Sequence, residues 1–301
     1  MKIDYIKCHG SGNEFVMMDA TKGDWRGIDL SALSRFVCNR ESAIGSDGVL
    51  LLCRKSGMFG MRMFNPDGSE AEMCGNGIRC VARLAQEQVK GREFDMWSGK
   101  KTYHISHTKD IYEGVTTYGV RLEAKVVGEP NRLIPALHNE LRWTAVDVGN
   151  PHIVALVEKI DYALLRELGE RVTTLKEEFP QGVNLSLITK SSRRAIFVAT
   201  YERGAGITPS CGTAMTASAT AMAFNGECDY EQTIEVRNRG GMVRCVCYRE
   251  GKKLHTQLIG NATYISRGKI EIGKSRFSLR GVKRYDKEEA SYNKFVARGR
   301  K

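Results

Sequence analysis

Two of the nine cysteines in this 301-residue chain stand where a thiol can do acid–base work. Cys74 and Cys211 are each followed by glycine, in Cys74-Gly75-Asn76 and Cys211-Gly212-Thr213, and each Cys-Gly opens a segment patterned as a helix. After Cys74, apolar residues recur at Ile78, Val81, Ala82 and Ala85, the spacing of one helical face. After Cys211 the segment is rich in Ala and Met with hardly any charge, which favours a helix buried all round. The first turn of a helix has unpaired N–H groups and the positive end of the helix dipole. A cysteine placed there has its thiolate favoured, and the same amides can hold a carboxylate. Two such helix starts facing each other would put a base on one side of a cavity and an acid on the other. That suits removal of a proton from a Cα on one face and its return on the opposite face, with no cofactor. One thiolate acts as general base and the other thiol as general acid, their roles swapping with direction. Amides aimed at the substrate carboxylate would stabilise its enolate-like charge. On this pattern alone, two inert buried cysteines beside helix starts remain the alternative.

The other thiols do not compete. An odd number of cysteines without an export signal argues against a disulfide framework. The closest spacings are C-x5-C (Cys74, Cys80) and C-x-C (Cys245, Cys247), neither of which is a zinc pattern, so no metal is expected. Cys245 and Cys247 lie in an alternating, strand-like run and point the same way, most simply into a core.

The elements that must position Cys74 and Cys211 look duplicated. Residues 61–85 run from a short apolar strand through the turn Asn65-Pro66-Asp67-Gly68 to Cys74 and a helix. Residues 195–223 run from a β-rich segment through a glycine-rich turn to Cys211 and a helix. An aromatic stands ten residues before the cysteine in both, Phe64 and Tyr201. Such a repeat suggests two halves facing each other. Elsewhere strand patterns dominate, and helices are predicted only near 30–39, 75–89, 160–170 and 212–225. The fold class expected is α+β, with two pseudo-symmetric halves, each a curved antiparallel-rich sheet or barrel around a central helix. The first half spans 1–117 and the second 118–261, with a lone strand pattern at 262–273 returning to complete the first sheet.

Composition sets the outer limits. Hydrophobic residues make up 42% and charged residues 27%, as in soluble globular proteins. No apolar run approaches the roughly 18 residues of a membrane-spanning helix. Asp4 and Lys7 interrupt the stretch a signal peptide would need, so a cytoplasmic protein with no membrane partner is expected. Lys and Arg exceed Asp and Glu by 11 charges, of which 7 fall in residues 274–301. That basic tail reads as a flexible, solvated extension, and nucleic acid is not expected as a partner except through it. A homodimer is left open.

The motifs in order resemble the diaminopimelate epimerase family, the cofactor-independent two-cysteine amino-acid racemases and epimerases. They are His9-Gly10-Ser11-Gly12-Asn13 with Phe15 and Asp19, then Gly45-Ser46-Asp47-Gly48, then the most specific block, FNPDGSEAEMCGNGIRCVAR at 64–83. VDVGNPH (146–152), FPQGVN (179–184) and YERGAGITPSCGT (201–213) follow. The resemblance implies an isomerase that interconverts LL- and meso-diaminopimelate for lysine and peptidoglycan precursors. It makes Cys74 and Cys211 the acid–base pair, with His152 and Glu202 tuning them. Gly75, Asn76, Gly212 and Thr213 would offer amides to the reacting carboxylate. Asn13, Asn65, Asn150, Asn184, Glu202 and Arg203 would hold the substrate's amino and carboxylate groups. This agrees with the chemistry of a ligand with a zwitterionic amino-acid group at each end, which needs amide donors and acceptors and a guanidinium fork. Asn by itself favours turns, so Asn65 in an NPDG turn draws its binding role from the block around it.

Four positions depart from the family pattern. Glu14 replaces the usual Asp, Ser210 the usual Ala, and Ala214 with Met215 follows where Gly-Thr-Gly is usual. These departures leave open a racemase of another amino acid, such as histidine, on the same scaffold. The family as characterised by these motifs has no counterpart to residues 274–301.

Overall fold

The computed structural model describes residues 2–41, 44–272 and 277–299. The chain divides into two compact units, residues 1–120 with 259–301, and residues 121–258. Their elements run in the same order.

The first unit opens with β1 (Lys2–Gly10), β2 (Asn13–Asp19), α1 (Leu30–Cys38), β3 (Val49–Lys55), β4 (Met58–Phe64), β5 (Glu70–Ala71), α2 (Gly75–Gln86), β6 (Glu93–Ser98) and β7 (Lys101–His107). The long β8 (Thr117–Ile134) leads out of it. β1 pairs with β2, β2 runs parallel to β3, β3 pairs with β4, β4 runs parallel to β6, and β6, β7 and the start of β8 continue antiparallel. Each parallel pair is joined through a helix, as a crossover must be. α1 covers the outer face of β3 and β4 over a core of Val16, Leu33, Val37, Leu51 and Phe64. α2 is the central helix, touching β1, β2, β3, β4 and β7. That is why nearly every residue of it is buried.

The second unit repeats the plan. It contains β9 (His138–Asp147), β10 (Pro151–Leu156), α3 (Tyr162–Thr174), β11 (Asn184–Ser192), β12 (Ala195–Glu202), β13 (Gly206–Thr208), α4 (Gly212–Phe224), β14 (Thr233–Asn238), β15 (Gly241–Glu250) and most of β16 (Lys253–Asn261), whose last three residues belong to the first unit. The end of β8 pairs with β9, β9 with β10, β10 runs parallel to β11, β11 pairs with β12, β12 runs parallel to β14, and β14 pairs with β15. β16 pairs back with β8. α4 touches β9, β10, β11, β12, β14 and β15. Its buried threonine hydroxyls are satisfied within the unit: Thr216 donates to the Gly212 carbonyl and Thr220 to the Thr216 carbonyl, each at 2.9 Å, and Thr220 also meets Thr256 at 2.7 Å. A helix with threonines can therefore sit wholly inside a sheet. Cys245 and Cys247 of β15 are both buried.

α3 packs on the outside of β11 and β12 over Leu165, Leu168, Leu185, Leu187 and Ala199. Gly169, inside α3, lies on the Tyr201 ring, where an added Cβ would sit 2.1 Å from ring carbon. Helix propensity alone would make Gly169→Ala stabilising by about 1 kcal/mol. The clash outweighs it, because a rigid ring must shift inside a packed layer, at about 1–3 kcal/mol. Gly169→Ala is thus expected to lower the urea midpoint, and an unchanged or raised midpoint would refute this packing.

β17 (Thr263–Ile272) returns to the first unit and pairs antiparallel along β1. The structure corrects the expectation of a flexible tail. Residues 277–284 form β18 (Phe277–Arg284) on the far edge of β17, and residues 286–299 form α5 (Asp286–Gly299). α5 buries Tyr292 and Phe295, and its Glu288 forms a bidentate ion pair with Arg83 of α2 at 2.6 and 2.9 Å. The basic excess misled because the residues that dock the helix are two aromatics and a glutamate. Lys274, Arg276, Arg300 and Lys301 of that segment lie outside the described residues. Among the described residues no helix is long and apolar enough to cross a membrane.

Candidate active site

In the first unit, the β1–β2 hairpin and the start of α2 build one polar cluster. Ser11 and Gly12 form the two-residue turn, both with positive φ (54° and 79°), the geometry that matches the twist of paired strands. A serine pays for that conformation unless it is held. Here its N–H donates to Asn261 Oδ1 at 2.7 Å and its hydroxyl accepts from Arg79 Nη2 at 3.1 Å. Asn13 follows the turn. Its Nδ2 donates to Asp47 at 2.8 Å, which fixes the amide so that Oδ1 faces α2. Oδ1 then accepts from Asn76 Nδ2 at 3.4 Å and lies 4.0 Å from the Cys74 thiol. Cys74 is the N-cap of α2, and its sulfur accepts from the Gly77 N–H at 3.4 Å. Burial raises its pKa, while the amides of Gly77 and Asn76 and the Arg79 cation pull the other way.

Arg79 is fully buried one turn into α2. It donates to the Gly75 carbonyl (2.8 Å), Asn76 Oδ1 (3.0 Å), Ser11 Oγ (3.1 Å) and the Asn261 carbonyl (3.2 Å). Asn65 lies apart from this cluster in its contacts, bonding Ser69 through Nδ2 (3.0 Å) and accepting from Ser34 on its carbonyl (2.7 Å).

In the second unit the equivalent helix start is Cys211, the N-cap of α4. Its sulfur is 3.4 Å from Thr213 Oγ1. Thr213 accepts from Asn150 Nδ2 at 3.4 Å, and Asn150 Oδ1 meets His152 Nε2 at 3.1 Å. An amide oxygen only accepts, so Nε2 carries the imidazole proton. Nδ1 has no hydrogen-bond partner among the described residues. Burial pushes the Cys211 thiol well up, and the neighbouring Glu202 carboxylate, which also hydrogen-bonds it, pushes the same way. The Thr213 hydroxyl and the Ala214 amide oppose them. Glu202 in turn accepts from the Thr208 hydroxyl. Asn184 Oδ1 accepts from the Arg203 N–H at 2.9 Å, its Nδ2 donates to the Pro151 carbonyl at 3.3 Å, and the Arg203 guanidinium bonds the Gln181 carbonyl. Ala214 is fully buried, and the Met215 sulfur accepts from Asn238 Nδ2 at 3.0 Å. These two departures from the family pattern are thus packed into the second unit's interior.

Of the residues named from the sequence, the structure groups Asn13, Cys74 and Asn76 in one cluster, and Cys211, Thr213, Asn150, His152, Glu202, Asn184 and Arg203 in the other. Five positioning residues received no role from it: Asp47, Ser11, Arg79, Asn261 and Thr208. All but Asn261 stand inside the quoted motif blocks, which was the available signal.

His9 and His152 are both held neutral by burial, His9 lowered from 6.5 to about 4 and His152 to about 3. In the unfolded chain both titrate near 6.5, so between 6.5 and about 4 the unfolded state binds more protons and stability falls as pH falls. The stabilisation from keeping them neutral is complete above 6.5. The urea midpoint is expected to drop on going from pH about 7.5 to about 5, above the range where carboxylates titrate. A flat midpoint over that window would count against neutral, buried imidazoles.

Comparison with known proteins adds family and fold. The diaminopimelate epimerase family model matches residues 5–116 and 144–265. A diaminopimelate epimerase of Clostridium acetobutylicum is 37% identical, over 100% of this chain and 96% of its own. That match takes in the C-terminal segment, correcting the expectation that it has no counterpart. A diaminopimelate epimerase of Lactiplantibacillus plantarum is 35% identical over 88% of each chain. Among solved structures, a PhzF-family phenazine biosynthesis protein of Bacillus anthracis superposes with a TM-score of 0.68 at 15% identity, over 90% of this chain and 100% of its own. A hydroxyproline epimerase of Agrobacterium vitis gives 0.63 at 14%, over 89% and 90%. At that identity the likeness is one of fold. With the sequence matches spanning both cysteine-capped helices, the chain belongs to the diaminopimelate epimerase family.

Proposed function

We propose that this protein is a diaminopimelate epimerase, interconverting the LL and meso isomers for lysine and peptidoglycan precursors in the cytoplasm. The observation that carries the reading is the cysteine capping each of two equivalent buried helices, in a chain of this family. In one direction a thiolate takes the Cα proton and becomes a thiol. The thiol on the other face gives its proton to the resulting carbanion and becomes a thiolate. Atoms and charge balance, and the reverse reaction exchanges the roles. Gly75-Asn76 and Gly212-Thr213 supply amides where carboxylate charge grows, which is the largest electrostatic contribution such a site can make. Asn13, Asn65, Asn150, Asn184, Glu202 and Arg203 bind the amino and carboxylate groups, and His152 and Glu202 tune the Cys211 side.

The test is incubation of the reduced protein with LL-diaminopimelate in deuterated water. Deuterium at one Cα together with appearance of the meso isomer supports the reading. No incorporation overturns it, and exchange into histidine or another amino acid but not diaminopimelate overturns the substrate assignment.

A further inference from the structure

We infer that Tyr292 of α5 is a positioning residue for the Cys74 half-site, shielding the His9 imidazole and so holding the Ser11–Gly12 turn that presents Asn13. Its catalytic meaning rests on the proposed function. The geometry stands by itself.

The Tyr292 ring meets the His9 ring edge-on, with centroids 4.3 Å apart, and both residues are only 5% exposed. His9 Nδ1 accepts from the Gly12 N–H at 3.2 Å and from Asn261 Nδ2 at 3.2 Å. Asn261 Oδ1 in turn accepts the Ser11 N–H. The turn is thus held from beneath by an acceptor nitrogen that works only while the imidazole is neutral. A proton on Nδ1 would convert it to a donor and break both bonds. Asn13, the next residue, would lose its fixed approach to Cys74 and Asn76.

The surroundings of His9 fix the direction of the effect. β2 contributes Glu14 and α5 contributes Glu288, both favouring the cation; α2 contributes Arg79, which opposes it. β17 faces it with the uncharged Thr263 and β16 with Asn261. Burial outweighs all of these, and α5 supplies part of that burial. The helix is anchored independently, by Glu288 on Arg83 and by Phe295 beside Tyr112 at 5.9 Å. Removing the Tyr292 ring therefore wets His9 while leaving both carboxylates near it.

The experiment compares full-length wild type, Tyr292→Ala and Tyr292→Phe. His9 is titrated by NMR of its ring protons, and kcat/KM for diaminopimelate exchange is measured across pH. In Tyr292→Ala, His9 is expected to titrate near 6.5, so the rate relative to wild type falls about tenfold one pH unit below that and recovers above it. Tyr292→Phe keeps the ring and is expected to track wild type. A His9 titration unmoved in Tyr292→Ala overturns the inference, as does a loss equal at every pH, which a merely structural role would give. Alkylation of Cys74 by iodoacetamide, in a Cys211→Ala background, gives a readout without turnover and should show the same pH-dependent difference. If wild type itself exchanges no Cα proton, the proposed function fails, while the titration and alkylation still decide this one.

Discussion

Replacing either Cys74 or Cys211 by serine is expected to lower epimerisation by about 10²–10⁴-fold, the usual contribution of a positioned acid or base. Serine keeps the shape and one polar atom, so circular dichroism and the urea midpoint should stay near wild type. What it loses is an ionisable proton in reach: an alkoxide is far less accessible than a thiolate. Burial already raises both thiols above their ordinary value. The reaction needs one thiolate, so the wild-type rate should rise with pH through neutrality, and the residual rate of each serine variant should rise likewise through its one remaining thiol. A sharper outcome follows from having one base on each face. Cys74→Ala retains only the Cys211 side, and Cys211→Ala only the Cys74 side. Each variant should exchange the Cα proton of a single stereoisomer, with retention, and the two variants should choose opposite stereoisomers. Mass spectrometry and chiral separation after incubation in deuterated water read both results. Full epimerisation in either variant, or exchange of the same isomer by both, would sink the two-base reading.

The parts of this site that the sequence revealed are those whose signal is local. Cys-Gly followed by a periodic or Ala-rich run marks a capped helix, and the predicted segments at 75–89 and 212–225 correspond to α2 at 75–86 and α4 at 212–224. Repetition of that unit revealed the two-fold plan, because each half must wrap a sheet around a helix that cannot face water. The C-terminal helix stayed hidden although Asp286, Glu288 and Glu289 open it in the manner of a helix start. Its stability as a helix comes from Tyr292 and Phe295 against the rest of the first unit and from Glu288 on Arg83, contacts made across more than 180 residues. Charge counted along the chain cannot see such partners.

The positioning shell was hidden for the same reason. Asp47 and Ser11 appear in the motif blocks as residues to match, with nothing to say that one orients Asn13 and the other ties the turn to Arg79. Asn261 lies outside every block. It donates to the His9 carbonyl at 3.1 Å and accepts from Ser11, tying residues some 250 positions apart within the first unit. Two glycines show how closely this is fitted. A Cβ on Gly10 would lie 3.1 Å from Arg79 Nη2 and one on Gly260 2.9 Å from it. The glycines leave the space that the guanidinium fills.

That fit makes Arg79→Met the substitution with the largest expected cost in stability, about 3–5 kcal/mol, from several buried acceptors losing their donor at once. Methionine fills most of the volume, so the loss comes from polarity rather than from a cavity. The Gly75 carbonyl, Asn76 Oδ1, Ser11 Oγ and the Asn261 carbonyl each lose a charged donor, and none is exposed enough for water to replace it without rearrangement. A buried acceptor left without a partner costs about 1–3 kcal/mol. Arg79→Lys should recover only a minor part, since one ammonium cannot reach four acceptors arranged around a planar fork. The effect should also reach the chemistry. Arg79 holds Asn76, whose amide and side chain serve Cys74, and its charge lowers the Cys74 pKa. In Arg79→Met, the pH at which Cys74 becomes reactive toward iodoacetamide should therefore move upward, measured below the unfolding midpoint in a Cys211→Ala background. A midpoint within error of wild type would show that the network is dispensable. Unfolding without any shift in thiol reactivity would confine Arg79 to stability and leave Cys74 to be tuned by the helix amides alone.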